Sequence, residues 1–447
     1  MAGSIAADLR FRGVVNQTTD EGLLDRLDVD RLTFYAGFDP TAPSLHVGSL
    51  LQLCLLRRLQ RAGHRPIALA GGATGAIGDP GGKSEERPLQ TPEEIDRNLA
   101  GIRTQMARFL ELDEGPGAGG GALLLDNRQW LGGMGLLDFL RDVGKHFTVN
   151  QMVAKETVRS RLERTDHSIS YAEFSYMLLQ AYDFLCLHDL HGCELQIGGS
   201  DQWGNITMGV ELVRKTRRRE VFGLTTPLVT KADGTKFGKT EQGTVWLDPE
   251  RTSPYRFFQF FLQSEDAVVG QYLRYFTFLP REEIEALDQQ VSERPQARAA
   301  QRRLAHEVTS LVHGEQEAIR AERASRALFD GSVADLDADI LEEVVRDSPS
   351  TSLPRGLFGG RPAGQPSGVD GGGAGDGVAL LDVLIRAGLA SSKGDGRRKI
   401  SQGGIYVNDR REHDADRVLR PDDLLHGRYV VLRRGKHDYH VLRAEAP

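Results

Sequence analysis

Short apolar runs alternate with longer amphipathic stretches through the N-terminal half of the chain. The first run contains Thr33, Phe34 and Tyr35, which favour extended structure, and the stretch after it has apolar positions at helical spacing. Strand, helix and strand in this order predict a parallel α/β sheet, in which ligands bind at the carboxyl ends of the strands. The predicted strands are Leu32–Phe38, Ile67–Ala70, Leu123–Leu125 and Leu195–Ile197, and the first predicted helix is His46–Ala62.

A later helix, Tyr171–Leu187, is apolar on most of its faces, which is typical of a helix buried in a core. Tyr176, Gln180 and Asp183 nevertheless fall on one face of it, at positions i, i+4 and i+7. Because buried polar groups need partners, this stripe either pairs within the protein or lines a pocket. A pocket is favoured by Tyr35 on the first strand, since a phenol hydroxyl could bind between Tyr35 and Asp183.

The pattern changes after residue 245, and this change divides the chain. Strand signals fade between Trp246 and Asp347, where stretches such as Ala297–Leu311 have a helical pattern. Residues 356–377 are rich in glycine and proline and poor in apolar residues, which predicts a flexible linker. The predicted domains are therefore an α/β sheet domain at 1–245, a helical domain at 246–355 and, after the linker, a small α+β domain at 378–447.

Charge is distributed unevenly along the chain, whose formal net charge is −7. Residues 378–447 hold 14 Lys and Arg against 10 Asp and Glu, so this domain carries +4 and the rest of the chain −11. A basic terminal domain on an acidic body suits a polyanion that is contacted by one part of the protein.

Composition also excludes several classes of protein. No stretch is apolar for long enough to cross a membrane, and the N-terminus lacks the pattern of a secretory signal. The three cysteines are too few for a disulfide framework, which predicts a reduced, cytoplasmic compartment. His188, His191 and Cys193 do not complete a set of four ligands, so we predict no metal centre.

The start of the first predicted helix has the chemistry to hold a nucleotide. His46 and Gly48 open this helix directly after a strand and a turn-rich loop, and free N–H groups at a helix start bind phosphate. A glycine there lets a ligand approach the backbone closely. The alternative interpretation is an ordinary helix start with a histidine on the surface.

Two further segments fit the same chemistry. The loop Lys236–Thr240 reads KFGKT, and two lysines beside a glycine can stabilise the negative charge of phosphates. It does not match the P-loop pattern of kinases and GTPases, and alone it could be a solvated turn. Gln196–Asn205 follows a predicted strand and offers two glycines and several polar side chains to a ribose, although alone it fits a simple strand-to-helix turn.

Together these residues resemble the class I aminoacyl-tRNA synthetases, and in particular the tyrosyl-tRNA synthetase family of bacterial type. His46-Val47-Gly48-Ser49 is similar to the HIGH signature and KFGKT to the KMSKS signature, in the order and separation of that class. Tyr35–Thr41, Gly78-Asp79-Pro80 and the polar stripe of the buried helix are similar to tyrosyl-family segments. Leu381–Arg411 resembles an S4-type RNA-binding domain.

The resemblance implies a Rossmann-like catalytic domain, an α-helical anticodon-binding domain and an S4-like RNA-binding domain. It implies that L-tyrosine is activated with ATP, accompanied by Mg²⁺, and transferred to tRNA(Tyr). The implied tyrosine-binding residues are Tyr35, Gly37, Asp39, Asp79, Tyr176, Gln180, Asp183 and Gln196. The implied ATP-binding residues are His46, Gly48, Ser49, Gly199, Asp201, Gln202, Lys236 and Lys239.

Further roles are implied in the same way. Catalysis, by stabilising charge on the phosphates, is implied for Thr41, His46, Lys236, Lys239 and Thr240. Lys83 and Arg87 match a second mobile basic loop. The implied tRNA contacts are Lys393, Arg397, Arg398, Lys399 and Arg410. A homodimer is also implied, with each tRNA spanning both subunits.

One position departs from the family, and three alternatives stay open. The last HIGH residue is usually histidine in the bacterial enzymes, and here it is Ser49, which can still hydrogen-bond a ribose. A tryptophanyl-type synthetase generally lacks the S4-like tail, and Tyr35 with Asp183 suits a phenol better than an indole. An RNA-binding protein that has lost catalysis is favoured only by Ser49. A nucleotidyltransferase with another substrate leaves the S4-like domain unexplained.

Overall fold

A computed structural model of the chain describes residues 3–79, 90–113, 121–163, 169–240, 243–330, 333, 336–359, 377–435 and 438–445. The chain divides into two units, one formed by Met1–Thr252 with Phe260–Val312 and the other by Ser253–Gln259 with His313–Pro447. Each unit has a β-sheet of its own.

The first unit is built on a six-stranded sheet in the order β1-β6-β5-β2-β3-β4. Its strands are β1 (Gln17–Thr18), β2 (Thr33–Phe38), β3 (Arg65–Ala70), β4 (Leu123–Asp126), β5 (Cys193–Gly199) and β6 (Phe222–Thr226). All neighbours are parallel except β1, which pairs antiparallel with β6. The parallel α/β prediction is confirmed, and β6 and β1 are additions to it. A separate hairpin joins β7 (Lys239–Thr240) and β8 (Gly243–Thr244).

Helices surround this sheet. Those up to the last parallel strand are α1 (Ile5–Arg12), α2 (Leu23–Val29), α3 (Leu50–Arg61), α4 (Pro92–Phe109), α5 (Arg128–Leu131), α6 (Leu136–Asp142), α7 (Val149–Val153), α8 (Glu156–Leu162), α9 (Tyr171–His191) and α10 (Trp203–Arg217). The next helix, α11 (Pro254–Leu262), is divided between the two units, and the later helices of this unit are α12 (Asp266–Phe276), α13 (Arg281–Glu293) and α14 (Ala299–His313). The predicted helix His46–Ala62 begins as a 3-10 turn, Val47–Ser49, which continues into α3.

The long helix α9 is buried, as its composition predicts. Ser170 caps its start by accepting a hydrogen bond from the backbone N–H of Glu173, and Gly192 ends it in a left-handed conformation. Its apolar side chains, among them Phe184 and Leu187, pack in one core with residues of the sheet such as Tyr35. This packing holds α9 against the central strands and leaves its polar stripe toward their carboxyl ends.

The division into units differs from the domain boundaries predicted at 245, 355 and 377. Residues 260–312 belong with the sheet unit, and residues 313–359 belong with the C-terminal residues. The reason is packing between segments distant in sequence, which local patterns do not show. The buried Arg12 guanidinium donates to the carbonyl oxygens of Thr277 and Leu279, at 3.0 and 2.7 Å. In the other unit, residues 350–354 form a strand of the C-terminal sheet.

The second unit is α+β. Its helices are α15 (Glu315–Asp330), α16 (Ala338–Asp347), α17 (Leu380–Arg386) and α18 (Lys393–Ser401). Its strands are β9 (Ser350–Pro354), β10 (Val378–Ala379), β11 (Ile405–Val407), β12 (Arg410–Arg411), β13 (Val418–Leu419), β14 (Tyr429–Arg434) and β15 (Asp438–Glu445). Five of them form a sheet in the order β12-β11-β14-β15-β9, and β10 pairs with β13. The predicted α+β character of residues 378–447 is therefore confirmed.

Most of the predicted linker, residues 360–376, lies outside the described residues. Within the ranges that the structure describes, no helix combines the length and the apolar character needed to cross a membrane.

Candidate active site

A cavity of about 330 Å³ lies at the carboxyl ends of β2 and β5, where the strand order reverses. The start of α3 and one face of α9 complete its wall. The eight residues predicted to bind tyrosine all line it: Tyr35, Gly37, Asp39, Asp79, Tyr176, Gln180, Asp183 and Gln196. Thr41 lines it too, with five of the residues predicted to bind ATP: Gly48, Ser49, Gly199, Asp201 and Gln202.

Asp183 is a buried carboxylate held by hydrogen bonds on both of its oxygens. One carboxylate oxygen accepts from Trp130 Nε1 at 2.7 Å, and the other accepts from Asn127 Nδ2 at 3.0 Å. Burial raises the pKa of Asp183 to about 7, against the effect of these two hydrogen bonds, which lower it. The carboxyl group is thus held in one orientation, with spare lone pairs that a ligand hydroxyl can use.

Tyr35 on β2 presents a hydroxyl that has no hydrogen-bond partner among the described residues, although it is buried. Its ring packs edge-on against Phe184 of α9, with centroids 5.3 Å apart. Burial, and then the charge of Asp183, raise the pKa of Tyr35, so the group stays a neutral phenol. A buried unpaired hydroxyl is costly, and a ligand that pairs with it removes this cost.

A chain of hydrogen bonds connects this end of the cavity to Asp39. Asn127 Nδ2 donates to the Thr74 hydroxyl at 2.9 Å, and that hydroxyl donates to Asp39 Oδ1 at 2.9 Å. The Tyr176 hydroxyl donates to the other Asp39 oxygen at 2.7 Å. These contacts fix Tyr176 and Asp39 next to each other, where an ammonium group finds a phenol oxygen and a carboxylate.

More carboxylates face the nucleotide half of the cavity. Asp79 accepts from Gln202 Nε2 at 2.6 Å, and Asn205 bridges Gln202 and Gln180 by donating to both side-chain oxygens. Burial, and then the negative charge of Asp79, raise the pKa of Asp201. The cavity is therefore electronegative, which favours cationic groups such as an ammonium.

The start of α3 supplies the backbone N–H groups predicted to face phosphate. His46 caps the 3-10 turn, since its Nδ1 accepts from the backbone N–H of Gly48 at 3.0 Å. The His46 side chain is exposed and stands outside the cavity lining, whereas Gly48 and Ser49 are part of that lining. Gln52, one turn further along, also lines the cavity and donates to Thr226 at 2.8 Å.

The KFGKT loop packs against that helix start. Gly238 has a φ of +85°, and a Cβ added to it would lie 2.5 Å from Val47 Cγ2. Phe237 anchors the loop in an aromatic cluster, with its ring 5.1 Å from Phe260 and 5.3 Å from Phe276. A backbone hydrogen bond from the Val47 N–H to the Val245 oxygen, at 3.1 Å, also connects the helix start to the segment that follows the loop.

The two predicted lysines of this loop differ in what the structure describes. Lys236 is exposed and lies outside the cavity lining, but its charge reaches the site, since it acts to lower the pKa of Asp201. For Lys239 and Thr240 the described part is the backbone, in β7. Lys83 and Arg87 lie outside the described residues.

The predicted tRNA contacts are in the other unit. Lys393, Arg397, Arg398 and Lys399 lie on α18, and Arg410 lies on β12.

Four residues that shape the cavity were not predicted: Asn127, Trp130, Thr74 and Gln52. The sequence held a signal for three of them. Asn127 directly follows β4 and Trp130 is three residues on, so the rule that polar groups at the carboxyl ends of parallel strands face the ligand applies to this loop. The same rule applies to Thr74, four residues after the end of β3, whereas Gln52 carried no such signal.

Two family profiles match the chain. One, described as tRNA synthetases class I (W and Y), matches residues 28–330, and the other, described as the tyrosine–tRNA ligase SYY-like C-terminal domain, matches residues 373–442.

Relatives and solved structures agree with these matches. The chain is 53% identical over 440 residues to a tyrosine–tRNA ligase of Roseiflexus castenholzii, which covers 98% of this chain and 99% of that protein. It is 52% identical over 441 residues to a tyrosine–tRNA ligase of Geobacillus stearothermophilus, with the same coverage of 98% and 99%. A C-terminally truncated mitochondrial tyrosyl-tRNA synthetase of Aspergillus nidulans superimposes with a TM-score of 0.65 at 33% identity, over 73% of this chain and 94% of the other.

Gly238→Ala tests the packing of the KFGKT loop on the helix start. The added Cβ meets Val47, so the loop must move, and a shift of about 1 Å costs roughly a hundredfold in rate. We expect the ATP–pyrophosphate exchange rate to fall about tenfold to a hundredfold. The matched control is Gly234→Ala, which has a similar φ of +79° but nothing within 4 Å of the added atom. Equal losses in both variants would show that backbone strain alone is responsible.

The pKa of Asp183 makes a second prediction, for stability. Its native pKa of about 7 lies above its usual 3.8, so the stabilisation that protonation provides is lost as the pH rises through about 7. Asp183→Asn cannot titrate, so its free energy of unfolding relative to that of the wild type should rise by roughly 2–3 kcal/mol between pH 5 and pH 8, on top of a constant offset. Urea unfolding of both proteins at several pH values measures this. Curves that stay parallel would contradict the raised pKa.

Proposed function

The chain belongs to the tyrosine–tRNA ligases, a family of class I tRNA synthetases, and we propose how its cavity carries out the family's reaction. A tyrosine–tRNA ligase joins L-tyrosine to ATP as tyrosyl-adenylate, with release of pyrophosphate. It then transfers the tyrosine to the 3′-terminal adenosine of tRNA(Tyr). In our proposal both substrates meet in the cavity at the ends of β2 and β5.

The tyrosine side chain enters toward α9, and its hydroxyl binds between Asp183 and Tyr35. The single observation that carries this assignment is a buried carboxylate, held by Trp130 and Asn127, in the same cavity as a buried hydroxyl that lacks a partner. The ligand hydroxyl donates to Asp183 and accepts from Tyr35, which completes both groups. A phenylalanine side chain would leave the buried Tyr35 hydroxyl unpaired and would give Asp183 no third donor, at roughly 1–3 kcal/mol for each lost hydrogen bond.

The ammonium group of tyrosine binds among Tyr176, Asp39 and Asp79, with Gln180 close by. Tyr176 already donates to Asp39, so its oxygen has lone pairs left for an ammonium donor. This places the amino acid carboxylate toward the nucleotide half of the cavity. Gln196 supports the pocket from β5, and its side-chain oxygen is buried without a partner among the described residues.

ATP binds over the start of α3 and the end of β5. Gly48 and Gly199 give the adenosine close access to the backbone, and Ser49 and Asp201 offer polar groups to the ribose. Gln202 lies between the two substrates. Mg²⁺ accompanies ATP as part of the substrate.

The chemical step needs no side-chain nucleophile. A carboxylate oxygen of tyrosine attacks the α-phosphorus, a new P–O bond forms, and the bond to the departing pyrophosphate breaks. Thr41 and His46 at one side, and Lys236, Lys239 and Thr240 at the other, stabilise the negative charge that develops on the phosphates. Lys83 and Arg87 act as a second basic loop. The rate comes from alignment and charge stabilisation.

The C-terminal domain contacts tRNA. Its match to the tyrosine-specific C-terminal profile, and its +4 charge on an acidic body, support this assignment over a tryptophanyl-type synthetase. We infer that the helical residues from 246 to 355 take part in anticodon recognition. We place the reaction in the cytoplasm, where tRNA is charged for translation and the three free cysteines remain reduced.

We infer that the protein is a homodimer. Large apolar side chains are exposed within one stretch of the first unit: Leu136 at 72%, Leu137 at 80%, Val149 at 64% and Tyr171 at 75%. Exposed apolar groups of this size are typical of protein–protein interfaces. Two of these residues begin α6 and one begins α9, the helix that carries the polar stripe of the cavity.

Amino-acid-dependent ATP–pyrophosphate exchange tests the proposed reaction. Tyrosine should drive exchange in the wild type, and tryptophan and phenylalanine should not. Asp183→Ala should lose tyrosine-driven exchange by at least about a hundredfold, because the ligand hydroxyl loses its acceptor, while circular dichroism shows a folded protein. Exchange driven by tryptophan but not by tyrosine would overturn the choice of substrate.

The inferred homodimer makes a separate prediction. Leu137→Asp puts a charge on a side chain that is 80% exposed, so the fold should be preserved while association is lost. Sedimentation should change from a dimer near twice 49.3 kDa to a monomer. Val29→Asp is the matched control, since Val29 is 84% exposed on α2, outside the stretch. A wild-type monomer, or a dimer unaffected by Leu137→Asp, would contradict the inference.

A further inference from the structure

A row of alternating arginine and tyrosine crosses four neighbouring strands of the C-terminal sheet. Arg411 of β12 pairs with Tyr406 of β11, Tyr406 pairs with Arg433 of β14, and Arg433 pairs with Tyr439 of β15. Directly paired residues project from the same face of a sheet, so these four side chains stand side by side. We call them the Arg/Tyr row.

The side chains of the row are stacked on one another. The Arg433 guanidinium carbon lies 3.8 Å from the centre of the Tyr406 ring and 5.8 Å from that of Tyr439. The Arg411 guanidinium lies 5.9 Å from the Tyr406 ring on the side of the edge strand. Such cation–π contacts hold the planar groups in a fixed orientation. The row is therefore an ordered surface.

The row lies on the face of the sheet that is turned away from the domain core. Neighbouring residues of the same strands, Ile405, Val407 and Leu432, are fully buried in that core. Tyr406 and Tyr439 are partly buried, the Arg433 side chain is 14% exposed and lies 3.9 Å from Asp409, and Arg411 is exposed. Water and a large ligand can thus reach the row from outside.

The cations of α18 are already paired within the domain. Lys393 pairs with Asp382 at 2.7 Å, and Arg397 pairs with Asp416 at 2.8 Å. Arg398 and Lys399 share Asp395, each at 2.7 Å. The hydrogen bonds from these two residues and from the Ser391 backbone hold the pKa of Asp395 far below its usual range, so that carboxylate stays charged. A phosphate that binds α18 must compete with these carboxylates.

Arg410 and Arg411 on the edge strand β12 differ in this respect. Both are exposed, and within the described part of the chain no carboxylate lies at ion-pair distance from either of them. Their charge is therefore available to phosphate. Arg411 is part of the row, whereas Arg410 pairs with the buried Val407 and so projects from the other face of the same edge strand. Arg386 and Arg420 are also exposed and have no carboxylate at ion-pair distance among the described residues, but at β12 such charge directly adjoins the row.

We propose that the Arg/Tyr row, together with Arg410, binds unpaired nucleotides of tRNA. The inference rests on the proposed function and names the part of the C-terminal domain that makes the contact. Unpaired bases stack on aromatic rings and on guanidinium planes, and arginines neutralise the backbone beside them. Among the predicted contacts, Arg410 keeps this role, and the α18 cations contribute less than the row.

Equilibrium binding of a tRNA(Tyr) transcript to full-length variants tests the proposal. Tyr406→Leu removes a stacking surface and should weaken binding about tenfold, while Tyr406→Phe keeps the ring and should bind like the wild type. The double variant Arg410→Gln, Arg411→Gln should lower the slope of log affinity against log salt concentration by about 1.5. The double variant Arg397→Gln, Arg398→Gln should lose less affinity than Tyr406→Leu and less than the Arg410, Arg411 double variant.

Arg420→Gln is the matched control, because it removes an exposed charge of the same domain outside the row. ATP–pyrophosphate exchange should be unchanged in every variant, which separates the row from the proposed reaction. If the wild type shows no exchange, the proposed reaction is refuted, whereas the proposed role of the Arg/Tyr row in tRNA binding is not. If circular dichroism shows that Tyr406→Leu is misfolded, the Arg410, Arg411 double variant tests the proposal instead. Unchanged binding and salt slope in that variant, or a larger loss in the α18 variant, would overturn the proposal.

Discussion

The site depends on one buried carboxylate being kept in place without being neutralised by a cation. Among the described residues, Asp183 is fixed by hydrogen bonds from Trp130 and Asn127, and burial holds its pKa near 7. A lysine or arginine partner would lower the pKa of Asp183, but it would also occupy the lone pairs that must accept a hydrogen bond from the phenol. The buried carboxylate therefore destabilises the ligand-free protein, and a hydrogen bond from bound tyrosine offsets this cost. The same donors extend through Asn127 and Thr74 to Asp39, so one hydrogen-bonded chain sets both ends of the amino acid pocket.

A second constraint joins the two segments that handle ATP. The KFGKT loop and the start of α3 are far apart in sequence, yet Gly238 packs on Val47 with no room for a side chain. Phe237 buries the root of the loop in an aromatic cluster, while Lys236 remains exposed. A loop that is anchored at Phe237 and carries an exposed lysine can approach the phosphates without disturbing the core. The tyrosine pocket, in contrast, is preformed by the packing of α9 on β2.

The sequence predicts those features of the structure that arise from residues close together in the chain, and it does not predict contacts between distant residues. The polar stripe of α9 and the strand β2 are visible as periodicity, and the structure brings Tyr176, Gln180 and Asp183 to one cavity with Tyr35. The place of Asn127 and Trp130 after β4 indicates that they could face the ligand, but their hydrogen bonds to Asp183, more than fifty residues away, are not recorded in any local pattern. The pairing of β9 with β15 at the far end of the chain is another contact between distant segments that no local pattern records. Lys236 and Lys239 were predicted from their motif. Their distance to a bound phosphate depends on the conformation of the loop, which sequence periodicity does not predict.

Equilibrium binding of L-tyrosine and L-phenylalanine to the full-length protein, measured by calorimetry without ATP, tests the central claim most directly. If Asp183 and Tyr35 bind the ligand hydroxyl, phenylalanine loses both of these hydrogen bonds and leaves the Tyr35 hydroxyl buried and unpaired, so tyrosine should bind at least about a hundredfold more tightly. The preference should fall toward unity in Asp183→Asn combined with Tyr35→Phe. Comparable affinities for the two amino acids in the wild-type protein would contradict the account.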